Sequence, residues 1–151
     1  MTKYDVTDEA IINGTPDVVY NALKDEIDGK TSWWMPHLSS KLREGSSSGN
    51  VGALCDITVH GKRKVKFTTK TVEVKDNEMI RANYIEGALR GEGLWKFDSL
   101  EGKTKLSFRW QTSLSGFLPR IMGLFLPVEK KHSDVMKAGF DNLNKFIEGN
   151  N

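Results

Sequence analysis

The chain has 151 residues, 22 basic and 20 acidic, for a formal net charge of +2. That length suits one domain with a real core, and the near balance of charge argues against affinity resting on phosphate neutralisation. Cys55 is alone, which excludes an intramolecular disulfide and a thiolate metal site and points to a reducing cytoplasm. Met1 to Glu9 lacks an apolar signal core, and no run reaches the ~20 apolar residues of a membrane span, so a soluble cytoplasmic protein is expected.

Val6 to Ile12 reads as a strand with Val6, Ala10 and Ile12 on one face. Thr15-Pro16-Asp17 opens a helix, with Thr15 as N-cap and Pro16 at its first position, and Val19, Ala22, Leu23 and Ile27 form its apolar stripe. Asp28-Gly29 ends it, and Trp33-Trp34-Met35-Pro36 follows in a short helix or a turn. Glu44 to Asn50 is a flexible loop by composition. Val51 to Val59 alternates, His60-Gly61-Lys62 turns, and Arg63 to Lys75 is a long strand whose parity shifts near Val72 and Val74, the mark of a β-bulge. Asp76-Asn77 then turns into the strand Met79–Glu86.

Gly87 to Thr112 writes one hairpin. Gly91, Gly93, Trp95 and Phe97 share a face of its first strand, and Leu106, Phe108 and Trp110 share a face of its second. Folding about Leu100–Lys103 sets Trp95 opposite Phe108, Phe97 opposite Leu106 and Trp110 opposite Gly93. One face is wet and charged; the other carries large aromatics beside glycines, which lets the sheet bend around something bulky. That is the chain's own helix, a ligand, or both.

After Thr112 comes an apolar stretch, Ser115 to Pro127, punctuated by glycine and proline. Val128 to Glu148 reads at helical period, with Val128, His132, Val135, Met136, Gly139, Phe140, Leu143, Phe146 and Ile147 on the apolar stripe and Asp141 and Lys145 spaced as an i,i+4 pair. The order predicts an α+β fold: a curved antiparallel sheet of about six to seven strands wrapped around a long C-terminal helix, with two short helices after the first strand.

The segments Ile12-Asn13-Gly14-Thr15-Pro16-Asp17-Val18-Val19-Tyr20 with Trp34-Met35-Pro36, Gly91-Glu92-Gly93-Leu94-Trp95-Lys96-Phe97 with Glu101 to Leu106, and His132 to Leu143 together resemble the START-like, helix-grip superfamily of polyketide cyclase/dehydrase and lipid-transport-like proteins. The resemblance spans nearly the whole chain and implies a single domain over 1–151 with an apolar cavity between sheet and helix. It identifies neither a ligand nor a catalytic residue.

The residues expected to line such a cavity are Trp33, Trp34, Phe67, Tyr84, Trp95, Phe108, Trp110, Phe117, His132, Met136 and Phe140. The same aromatics would also serve as plain core. His132 is the one ionisable residue on the apolar stripe: a histidine bonded to its own protein, a ligand anchor, or an acid/base partner of Tyr84. Residues 117–126 are a packed lid or a gate that makes transient membrane contact during loading. Lys62, Arg63, Lys64, Lys66 and Lys70 form a solvated stripe rather than a nucleic-acid site. No metal spacing, dinucleotide loop, nucleophile elbow or P-loop is present, so no metal or cofactor is expected. Three functions stay open on these residues: a monomeric carrier or sensor of a hydrophobic molecule or lipid, a cyclase or dehydratase, and an interaction module with a filled groove.

Overall fold

The structure, a computed structural model, describes residues 3–46, 50–116 and 126–149. Its elements are β1 (Tyr4–Ile12), α1 (Pro16–Ile27), β2 (Leu38–Leu42), β3 (Leu54–Val59), β4 (Val65–Lys75), β5 (Met79–Gly87), β6 (Leu89–Leu100), β7 (Lys103–Leu114) and a C-terminal helix, α2 (Val128–Gly149). The seven strands form one antiparallel sheet in the order β1-β7-β6-β5-β4-β3-β2, curled into a half-barrel, and α2 lies against β1 and α1.

The β6–β7 hairpin has the register that its alternation dictates: Trp95 faces Phe108, Phe97 faces Leu106 and Gly93 faces Trp110. Its turn places Glu101 and Gly102 at φ 47° and 84°, the left-handed pair that a two-residue hairpin loop requires. The inner face carries Trp95, Phe97, Leu106, Phe108 and Trp110, all buried, against Met136, Phe140, Leu143 and Ile147 of α2. Charged side chains line the outer face, where Arg109 grips Asp5 through Nε and Nη2 at 3.0 and 2.8 Å.

The bulge expected near Val72 is present, since Thr71 faces Ala82 while Glu73 faces Arg81. A second register shift falls between Thr68, which faces Glu86, and Thr69, which faces Tyr84. Such bulges deepen the local twist and help the sheet curl.

Details around α1 differ from the sequence expectation. Between β1 and β2 there is one helix, not two. Residues 33–37 form hydrogen-bonded turns, with the His37 amide donating to the Trp34 carbonyl at 3.0 Å. Pro36 brings no amide hydrogen and disfavours helical backbone at Met35, so a second helix cannot propagate there. Also, Thr15 holds the N-cap position without a side-chain cap bond; its hydroxyl donates to the Asp17 carboxylate instead.

Glu26 fixes the turn after α1. It is buried, and its carboxylate accepts from the Thr31 hydroxyl at 2.7 Å, the Trp33 amide at 3.0 Å and the Trp34 amide at 2.9 Å. Three donors satisfy a charge that would otherwise be costly to bury. The turn drives the Trp34 indole against α2, where its N–H donates to the Val135 carbonyl at 3.1 Å.

Candidate functional site

Strand parity puts Tyr4, Val6, Asp8, Ala10 and Ile12 on the inner face of β1, and Asp8 stands directly opposite Phe108 of β7. A carboxylate thus points into the aromatic face of the sheet. Above it, in the first turns of α2, His132 lies flat on Trp110, with ring centroids 4.0 Å apart and planes 9° from parallel. Phe108 is the next ring, at 6.0 Å.

Nε2 of His132 and Oδ2 of Asp8 are 3.6 Å apart, with side chains 14% and 10% exposed. That separation exceeds a hydrogen bond, and among the described residues neither atom has a hydrogen-bond partner. The hydroxyl oxygen of Thr112, two residues beyond Trp110 on the same face, is also buried without a partner. Buried polar atoms are nearly always paired, so three unpaired ones on one face call for a reason.

Burial pushes the His132 imidazole down to about 4, because desolvation disfavours its charged form. The ring is therefore neutral near pH 7, with one N–H to donate and one lone pair to accept. Tyr84 is buried on β5 beneath Trp110, and burial drives its phenol well above the usual tyrosine range, against the hydrogen bond it receives from the Trp110 indole. The wall thus holds one bonded polar pair, Tyr84 with Trp110, and one unbonded pair, His132 with Asp8.

Trp95 packs at a tilt on Phe108 at 4.4 Å and meets Trp34 and Phe140 edge-on at 6.2 and 6.5 Å. Phe67 packs on Tyr84 at 5.3 Å, and Met136 is buried in the same cluster. Trp33 stands apart: it stacks on Trp34 but turns toward Phe146, and its indole donates to the Ala22 carbonyl. Phe117, with residues 117–125, lies outside the described residues.

Asp8 is not among the residues expected from the sequence, although the two-residue period from Tyr4 to Ile12 carries the signal. Gly93 belongs to the same wall. A Cβ there would fall 2.6 Å from the Phe108 ring and 3.5 Å from the Tyr84 hydroxyl, so glycine is what lets these rings close over the strand.

An open cleft of about 480 Å³ runs past Asn83, Ile85, Arg90, Glu92 and Gln111, and a cavity of about 20 Å³ lies among Tyr20, Ile27, Thr71 and Ile80. The second has room for about one water. Among the described residues no group of three or more His, Cys, Asp or Glu side chains is placed to hold a metal ion, and no helix is long and apolar enough to cross a membrane. Burial, with Asp28 and Asp56 nearby, pushes the Cys55 thiol up to about 12, far from a reactive thiolate.

A curled antiparallel sheet gripping a C-terminal helix defines the helix-grip class. Residues 3–148 match the family described as polyketide cyclase / dehydrase and lipid transport, and the chain belongs to that family. Among solved structures it is similar to the ZhuI aromatase/cyclase from Streptomyces sp. R1128, at 13% identity and a TM-score of 0.75 over 96% of this chain and 93% of that one. A START superfamily protein from Mycobacterium smegmatis gives the same identity and TM-score over 99% and 100% of the two chains. Norcoclaurine synthase from Thalictrum flavum, solved with dopamine and hydroxybenzaldehyde, gives 12% identity and a TM-score of 0.69 over 100% of this chain and 89% of that one. At such identities the likeness is one of fold. No curated relative matches the sequence.

Proposed function

We propose that the protein binds a hydrophobic small molecule or lipid between the inner face of the sheet and α2, as a carrier or sensor. The observation that carries this reading is the pairing of an aromatic wall with unsatisfied polar atoms. Trp95, Phe108, Trp110 and Phe140 build the apolar wall, and Asp8 and His132 offer hydrogen-bonding atoms that the described protein does not use. A mostly apolar lining with a few convergent polar groups is the usual make-up of a small-molecule site. The family's description, which spans enzymes and lipid carriers, supports the same ligand class.

An acid/base enzyme of cyclase or dehydratase type is the second reading, and the juxtaposition of Asp8 and His132 is what favours it. It is weaker, because proton transfer at neutral pH is best served by groups titrating near 7. His132 is displaced well below that point and Tyr84 well above it.

Native mass spectrometry of freshly purified protein tests the proposal. A co-purifying apolar molecule, released on denaturation and replaceable by added fatty acid or aromatic probes, is the expected result. Protein that arrives empty and takes up neither class of probe would contradict it.

A further inference from the structure

We infer that Asp8 and His132 together form a recognition point for a hydroxyl group, an alcohol or phenol carried on a flat apolar scaffold. This rests on the ligand-binding reading above and names the chemistry that the site selects.

The argument starts from complementarity. Oδ2 of Asp8 is an acceptor, and a neutral imidazole bearing its proton on Nε2 is a donor. At 3.6 Å the two atoms are too far apart to satisfy each other, yet close enough for one oxygen to touch both. A hydroxyl is the group that does both jobs with one atom: it donates its proton to Asp8 and accepts the N–H of His132. A carbonyl would leave Asp8 without a donor, and an ether likewise. An amine would satisfy the carboxylate but offer a neutral N–H imidazole little in return.

The surroundings define what the hydroxyl is attached to. Trp110 and Phe108 flank the imidazole, and Tyr4 stacks beside Trp110 at 5.7 Å with planes 14° apart. A planar or fused-ring scaffold is the kind that can take the place of one ring in this stack. The burial of both side chains makes the discrimination steep, because a ligand hydroxyl pairs two desolvated atoms that a ligand without it leaves unpaired.

The test compares 2-naphthol, naphthalene and 2-naphthylamine, which share size and shape, by fluorescence titration of the wild-type protein, Asp8→Asn and His132→Phe. The expected result is wild-type affinity for 2-naphthol at least ~10-fold above that for each of the other two, with the ratio falling toward one in both variants. Equal wild-type affinities for 2-naphthol and naphthalene would overturn the inference and leave the binding proposal standing. Tighter binding of 2-naphthylamine would overturn it in favour of an amine site, and a ratio unchanged in both variants would overturn the assignment to these residues. Failure of all three probes to bind would overturn the inference and the binding proposal together. The wild-type comparison decides the matter even where a variant does not fold.

Discussion

A Cβ on Gly139 would lie 2.3 Å from Cε2 of the Trp34 indole, so the middle of α2 and the turn after α1 meet at a position where no side chain fits. The indole cannot swing away, since its N–H is held by the Val135 carbonyl and its backbone amide by Glu26. Gly139→Ala gains about 1 kcal/mol of helix propensity and loses more by overpacking a rigid ring, typically 1–3 kcal/mol and more at such separations. The expected outcome is a net loss of about 1–2 kcal/mol in denaturant unfolding, with a changed near-ultraviolet tryptophan signal.

Glu26 is the other half of that joint. Glu26→Gln keeps the shape but replaces one acceptor oxygen with an amide donor that faces a backbone N–H. A loss of about 2–3 kcal/mol is expected, the cost of orphaning a buried donor on a charge-assisted bond. Urea unfolding measures it, and a loss below about 0.5 kcal/mol would show that the turn is held by packing alone.

Asp5 and Asp8 lie three residues apart on β1, on opposite faces, and their energetics should differ in sign. Asp5 forms a bidentate pair with Arg109, but the side chains are 48% and 50% exposed, so Asp5→Asn should lower stability only slightly. Asp8 is desolvated without a hydrogen-bond partner for Oδ2. Asp8→Leu should therefore raise the stability of the ligand-free protein by about 1–2 kcal/mol while weakening ligand binding, the pattern of a residue kept for function. A destabilised Asp8→Leu protein would mean that the carboxylate already has what it needs.

His132 sets a pH dependence. Its folded value, about 4, lies below the ~6.5 of an unfolded histidine. The unfolded chain therefore binds the extra proton first. The stability contributed by neutral His132 is complete above about pH 6.5 and is lost as pH falls toward 4, by about 3 kcal/mol at most. Asp5, Asp56 and Glu86 also titrate below their ordinary values through their arginine partners, and their contributions fade only at lower pH. Unfolding free energies at pH 7.5 and 4.5 should differ less in His132→Phe than in the wild type.

How far the sequence discloses this molecule depends on how regular each element is. The β6–β7 register was legible because alternation is regular from Gly93 to Phe97 and from Thr104 to Thr112 and the turn residues suit their backbone. α2 was legible from its apolar stripe, although its i,i+4 ion pair is Lys130–Asp134 rather than the expected Asp141–Lys145. β2 was not, because Leu38-Ser-Ser-Lys-Leu is short and half polar and is a strand through its pairing with β3. The site divides the same way. Its rings follow from parity, whereas Asp8 is hidden by the habit that places apolar residues inward. Which of Trp33 and Trp34 enters the core depends on Glu26, a buried carboxylate that no local pattern announces.

The most direct test of the account is where an apolar ligand sits. With 2-naphthol at saturation, intermolecular nuclear Overhauser effects should connect its ring protons to Trp95, Phe108, Trp110, Met136 and Phe140, on the face that α2 covers. Contacts confined to Ile85, Arg90 and Gln111, along the open cleft at β5–β7, would contradict it.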